Sequence, residues 1–349
     1  MNSEKKDNAL NTVDLGRSGL RVTELGFGGI PIMRLGMDEA VEVIRHSYEL
    51  GVRFFDTAHF YGDSEEKMGR GLEPVRDRVV IATKVWAKDK EGAAEQLAMS
   101  FERLRTEWID LIQCHNVSTR EDYTRVLGPG GAYEVLIKAK AEGKVRSIGF
   151  SSHNPDIAVR GCNSNKFDTL QFPFNFIEHD PIEKVFPAAL EKDMGIIAMK
   201  PLGGGLLDRA DLCFRFLQEH PRVIPIAGIQ AMEEIDEIVG YYKDRRILSP
   251  DDLKAIRTVR EELGGRFCHR CEYCMPCEQG VNIPMVLLVK TQVRRFPLRQ
   301  VAVMAQKPIE SVENCIECGE CTERCPYDLP IPEMLRENRE IYKRLLSEI

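Results

Sequence analysis

The sequence contains no run of about 18 uncharged apolar residues, so a membrane-spanning helix is not expected. Its start, MNSEKKDNALNTV, carries charge with no apolar stretch behind it. That excludes a signal peptide and reads as a flexible tail over 1–12, with a cytoplasmic location expected. Positive charge is not in excess: 48 Lys and Arg face 55 Asp and Glu, a net charge of -7. This argues against nucleic acid as a partner, which would favour a basic face. No G-x-G-x-x-G turn follows the first apolar run, so a doubly wound dinucleotide fold becomes the fallback, and no flavin motif is visible.

Cysteine, by contrast, is plentiful. There are 11, an odd count with tight C-x2-C spacing, which points to metal rather than disulfides. Two runs hold most of them: Cys268, Cys271, Cys274 and Cys277, then Cys315, Cys318, Cys321 and Cys325. Cys114, Cys162 and Cys213 are scattered and read as small packed residues.

Up to about residue 245, eight short apolar runs alternate with helix-like segments. The runs are VTELGFG, RFFDTA, VVIATKV, IDLIQCH, VRSIGFSS, TLQFPF, GIIAMKPL and VIPIAGI. Such alternation predicts parallel strands with helical crossovers, and its number and length fit an α/β fold of the (β/α)8 TIM-barrel type. A helix over SPDDLKAIRTVREELG follows, with Ser249 as its N-cap. From 265 the texture changes to two helix-like segments and the cysteine runs, with no strand pattern. The division is therefore a tail over 1–12, a barrel over 13–264 and a small α-helical domain over 265–349.

In a parallel barrel, reactive groups sit at the C-terminal ends of strands. FFDTAHFYG brings Asp56 and Tyr61 there, IATKV brings Lys84, and LIQCHNV brings His115. One such residue could be structural; four on successive strands are hard to explain as packing. With LGRSGLRVTELGFGG, GKVRSIGFSSHN and PLGGG, residues 13–262 resemble the aldo-keto reductase family. The resemblance implies reduction of a small-molecule carbonyl, or oxidation of an alcohol, with NAD(H) or NADP(H). Tyr61 would be the general acid, Lys84 would lower its pKa from about 10, Asp56 would hold Lys84, and His115 would orient the substrate oxygen.

By the same resemblance the cofactor would meet Gly28, Gly29, Asp56, Ser151, Ser152, Gln171, Met199, Lys200, Leu202, Gly203, Gly228, Glu234 and Glu237. Three positions depart from the family. Met199 stands where an aromatic usually stacks on the nicotinamide, and Lys200 replaces a small polar residue. Glu234 stands where NADPH-using members often carry Arg. An acid there suits a free ribose hydroxyl and leans toward NADH. A flavin, or no nicotinamide at all, stays open.

The second cysteine run ends C-x3-C-P, as in bacterial ferredoxins; the first departs from that ending. Two 4Fe-4S clusters are expected, with a four-thiolate zinc site as the competing reading. In two-cluster ferredoxins the fourth cysteine of each run serves the other cluster. Cys325 would then join Cys268, Cys271 and Cys274, and Cys277 would join Cys315, Cys318 and Cys321. The gap between the runs has a helical pattern and resembles α-helical dicluster ferredoxin-like modules. Barrel and module together resemble a group of predicted iron–sulfur oxidoreductases in bacteria and archaea. A ferredoxin or another redox protein is a possible partner. The rival reading is an electron-transfer or redox-sensing protein that uses the barrel as a docking scaffold.

Overall fold

The computed structural model describes residues 10–349; the first nine residues of the expected tail lie outside the described residues. Leu10 is already buried in the main core. Strands β1 (Thr12–Asp14) and β2 (Arg21–Thr23) form an antiparallel hairpin. Eight parallel strands then close into a barrel: β3 (Gly26–Gly28), β4 (Phe54–Asp56), β5 (Val80–Val85), β6 (Ile109–Cys114), β7 (Val145–Ser151), β8 (Thr169–Pro173), β9 (Gly195–Met199) and β10 (Val223–Gly228). β10 pairs with both β9 and β3, which completes the ring.

Seven of the eight apolar runs become one barrel strand each. The first, VTELGFG, splits in two: Val22 and Thr23 belong to the hairpin, and only Gly26–Gly28 enters the barrel. The Thr23 hydroxyl donates to the Leu25 carbonyl at 2.7 Å and so bonds across the break. The hairpin has a use. Leu15, Leu20 and Val22 pack with Phe54, Ala82, Leu111, Ile197, Ile224 and Ile226 in one buried cluster that stops the lower end of the barrel.

Side chains alternate along each strand. On β5 and β6, Ile81, Ile112 and Cys114 join the outer core beneath the helices, whereas Ala82 and Leu111 join the interior cluster. Two residues further toward the mouth, the interior positions turn polar, with Asp56, Lys84 and Gln113 all buried. The barrel is thus apolar at its floor and polar at its open end. Cys114, Cys162 and Cys213 are all packed in the outer core.

Ser249 caps the helix Pro250–Gly264: its hydroxyl accepts from the Asp252 N–H at 3.2 Å, and the Asp252 carboxylate accepts from the Ser249 N–H at 2.8 Å. No strand forms after it. The helices Ile283–Leu287, Val289–Arg295, Leu298–Glu310 and Ile331–Leu346 share a second core. The last is amphipathic, with Ile331, Met334, Leu335, Asn338, Tyr342 and Leu345 buried at three- and four-residue intervals. Met33, Ala58 and Tyr61 of the barrel loops belong to this second core, which therefore sits on the mouth. Among the described residues no helix is long and apolar enough to cross a membrane.

Helix packing around the barrel is tight enough to test. A Cβ on Gly69 would lie 2.2 Å from the Arg103 carbonyl oxygen and 2.9 Å from the Leu104 carbonyl carbon, both backbone atoms of the neighbouring helix. Alanine is the better helix former by about 1 kcal/mol. Gly69→Ala should nonetheless destabilise, by about 1–3 kcal/mol, because the helices must separate. The midpoint of urea unfolding measures this, and an unchanged or raised midpoint would show that they can move apart freely.

Candidate active site and thiol clusters

The ammonium of Lys84, fully buried inside the barrel, meets three acceptors. Its Nζ donates to Asp56 Oδ1 at 2.8 Å, to Asp56 Oδ2 at 2.6 Å and to the Thr57 carbonyl at 2.6 Å. Gln113 extends the network: its Nε2 donates to Asp56 Oδ1 at 3.3 Å and to Gln171 Oε1 at 2.8 Å. Burial pushes the Asp56 carboxyl above its ordinary value, and Lys84 opposes that rise.

Tyr61 lies beside this pair, with Lys84 Nζ 5.2 Å from its ring centre. The ring of His115 stands edge-on to it, centres 5.5 Å apart. Lys84 does pull the phenol down, as the sequence suggests, but the net direction is the opposite. Burial under the second core pushes the Tyr61 pKa up, with Lys84 and Arg295 returning only part of the shift. Tyr61 is therefore held as a proton-bearing hydroxyl. His115 is driven well below its usual value by burial and by Lys84 and Lys88, so it is a neutral imidazole. Its Nδ1 and the Gln113 Oε1 are buried without a partner among the described residues.

Asp56, Tyr61 and His115 open into one cavity of about 350 Å³. From the mouth it runs past Lys200 to Gly205 and on to Gly228, Gln230 and Glu234. Of the positions the resemblance assigns to a cofactor, Gly28, Gly29, Ser151, Gln171, Met199, Lys200, Leu202, Gly228 and Glu234 line it; Ser152, Gly203 and Glu237 do not. The Ser152 hydroxyl turns to the backbone of Asn154, donating to its carbonyl at 3.2 Å. Gly203 faces Leu207 and Phe267. Glu237 is exposed and accepts from the Tyr241 hydroxyl. The Glu234 carboxylate is also less free than expected. It accepts from the N–H groups of Gln230 (2.8 Å) and Ala231 (3.2 Å), reaching back to the backbone just ahead of the helix Met232–Lys243. Lys200 does not simply add charge either: burial, Arg270 and Arg295 drive its pKa well below the usual lysine value.

The roof of the cavity was not legible in the sequence. Arg270, Leu288, Thr291, Arg295 and Phe296 come from the C-terminal helices and loops. Arg294 ties this roof across the cleft: its carbonyl accepts from Arg34 at 2.6 Å, and its guanidinium donates to the Gly205 carbonyl. Phe60 and Trp86, stacked at 4.6 Å, form one wall. Positive φ values of 71° at Gly204 and 87° at Gly205 let the PLGGG loop run under Arg294 and Arg295.

The eight cysteines of the two runs fall into two crossed sets. Cys325 lies near Cys271 and Cys274, and Cys274 also lies near Cys268. Cys277 lines a second cavity, of about 70 Å³, with Cys315, Cys318 and Cys321. Among the described residues no three Cys, His, Asp or Glu side chains converge on a point that would hold a single ion. The first set adjoins the mouth: Asn154 Nδ2 donates to the Cys271 carbonyl at 2.8 Å, while Asn154 Oδ1 caps the helix Pro155–Asn163. The second set faces outward, with Cys318 exposed.

The ion pair in the barrel has a measurable weight. Lys84→Met leaves a buried carboxylate unpaired and should cost about 3–5 kcal/mol in chemical unfolding. Removing the carboxylate as well, in Asp56→Asn with Lys84→Met, should recover part of that loss. A double variant as unstable as the sum of the two single variants would show that the pair carries no coupling.

The aldo/keto reductase family pattern matches residues 24–212, and that of a 4Fe-4S dicluster domain matches residues 267–330. L-galactose dehydrogenase of Arabidopsis thaliana is 30% identical over 213 residues, 55% of this chain and 66% of that protein. Aldo-keto reductase str7 of Strobilurus tenacellus is 34% identical over 207 residues, 53% of this chain and 60% of that protein. The chain thus spans less than two thirds of the length of either relative. Among solved structures, the aldo-keto reductase from Klebsiella pneumoniae in complex with NADPH superimposes with a TM-score of 0.61 at 21% identity, over 72% of this chain and 95% of that one. Barrel, site geometry and family pattern lead to one conclusion: the chain belongs to the aldo/keto reductase family, with a 4Fe-4S dicluster domain C-terminal to its barrel.

Proposed function

We propose that this protein is a nicotinamide-dependent oxidoreductase that reduces a carbonyl compound, or oxidises the matching alcohol, at Tyr61. Two 4Fe-4S clusters stand beside that site. In this reading 13–264 is the reductase barrel and 265–349 the cluster domain. The observation that carries it is the shared cavity. Asp56, Tyr61 and His115 open into the same space as Ser151, Gln171 and the PLGGG loop.

The nicotinamide, when bound, supplies or accepts the hydride. The side chains do the rest. Tyr61 keeps its proton until a carbonyl oxygen arrives to take it, and Lys84 favours the phenolate left behind. Asp56 fixes Lys84 and so fixes the charge at that point. His115, neutral at physiological pH, can hydrogen-bond the same oxygen without competing as an acid. Which nicotinamide binds is open, since the Glu234 carboxylate is engaged by its own helix. The NADPH held by the Klebsiella pneumoniae neighbour makes that form the first to test.

The crossed thiol sets suit clusters better than zinc, because the second run has the C-x2-C-x2-C-x3-C-P spacing of ferredoxins. Cys268, Cys271, Cys274 and Cys325 would hold the inner cluster, next to the mouth. Cys277, Cys315, Cys318 and Cys321 would hold the outer one. Clusters, when assembled, pass single electrons. Their order supports a link between the barrel and a redox protein such as a ferredoxin.

Two outcomes are expected. Tyr61→Phe should lower carbonyl reduction at least about 100-fold while the visible cluster absorbance stays as in the wild type; full activity in this variant would remove Tyr61 from the chemistry. Iron and acid-labile sulfide should each approach about eight per chain in anaerobically purified protein. Cys325→Ser should bring both toward about four, whereas a wild-type value near four would leave a single cluster.

A further inference from the structure

Three basic side chains of the cavity carry no step of the chemistry above: Lys200, Arg270 and Arg295. The carboxylate that faces all three is Glu178. It is buried and engaged by Asn175 Nδ2 at 3.0 Å. Arg270 reaches His153, but its Nε is buried without a partner among the described residues. Two guanidinium groups beside one carboxylate, out of bulk water, are costly unless an anion completes the group, and Lys200 relieves part of that cost because burial favours its neutral form.

The cations divide by position. Lys200 and Arg270 have Cys268 as a charged neighbour, so the thiolates of the inner set face them. Arg295 does not. Its neighbours include the Tyr61 hydroxyl and the Glu178 carboxylate, besides Lys200 and Arg270. It comes from the last turn of Val289–Arg295, and its chain crosses Gly204, where a Cβ would lie 3.4 Å from its Cδ. The guanidinium and Tyr61 line the same cavity. The wall of that space carries the stacked Phe60 and Trp86, whose indole meets the His115 ring edge-on at 5.1 Å. An apolar wall, a proton donor and a cation in one chamber describe a ligand with an apolar body, a carbonyl and an anionic group.

We propose that Arg295 anchors a carboxylate on the substrate, so that the protein acts on carboxyl-bearing aldehydes and oxo acids in preference to neutral carbonyl compounds. This rests on the reductase reading above. The alternative source of the anion is the pyrophosphate of the cofactor, since Arg295 also passes the PLGGG loop. The position beside Tyr61 favours the substrate.

The test uses full-length, cluster-loaded protein under anaerobic conditions, with probes that differ in charge and little in shape. kcat/KM for 4-formylbenzoate should exceed that for 4-formylbenzamide at least about 10-fold, the scale of a hydrogen bond to a charged group. Arg295→Gln should remove the gap and leave the KM for the nicotinamide unchanged; Arg295→Lys should keep part of the gap. Equal kcat/KM for the two aldehydes overturns the proposal. So does an Arg295→Gln variant that loses nicotinamide affinity and keeps the preference, which would assign Arg295 to the pyrophosphate. Calorimetric titration with benzoate and benzamide separates this idea from the reductase reading. If no carbonyl is reduced, tighter binding of benzoate that Arg295→Gln abolishes still supports the anchor. Absence of that difference sinks it. Where Arg295→Gln fails to load clusters, the wild-type comparison of the two probe pairs decides.

Discussion

An ammonium group in the middle of a protein must be surrounded by acceptors before anything can be built around it. Lys84 sets that requirement here. Two carboxylate oxygens of Asp56 and the Thr57 carbonyl take up its N–H groups. Gln113 then binds the carboxylate and Gln171 together. Four strands, β4, β5, β6 and β8, and the loop after β4 are thereby tied at one depth in the barrel. The position of Tyr61 follows, since its loop leaves β4 directly after Asp56 and Thr57. The strand interiors are graded to match: apolar side chains fill the floor, where no acceptor is available, and polar ones appear only where this network can satisfy them.

The C-terminal domain is more than an appendage. Tyr61, Met33 and Ala58 are part of its apolar core. The burial that raises the Tyr61 pKa thus comes in part from residues more than two hundred positions later. The same domain brings one thiol set against the mouth through Asn154 and leaves the other facing outward. The barrel loops and the inner thiol set are thus in direct contact.

Much of this was legible in the sequence. Short apolar runs between helix-like segments marked the strands, because parallel strands under helices are buried on both faces. The tetrad positions were legible because strand ends in a parallel barrel share one mouth. Cysteine spacing was legible because ligand geometry is local. The failures were not local. VTELGFG reads as one strand, yet its first residues serve a hairpin whose purpose is to close the far end of the barrel. Glu234 reads as free for a ribose, yet it turns back to the N–H groups of Gln230 and Ala231 ahead of its own helix. The pKa of Tyr61 reads as lowered, since Lys84 is near in sequence terms and the roof is not. Arg270 hides inside a C-x2-C step, and Arg295 in an ordinary helix end. Nothing near either of them in the chain indicates a barrel mouth.

The hairpin at the barrel floor has a consequence for protons. It makes the interior a blind well, with Leu15, Leu20 and Val22 as its base. Under the proposed role of Tyr61, a proton given to a substrate must be replaced before the next turnover. Resupply from below is closed, and the C-terminal helices cover the top. The replacement must come through the opening by which product leaves, so reprotonation of the phenol and departure of the product share one path.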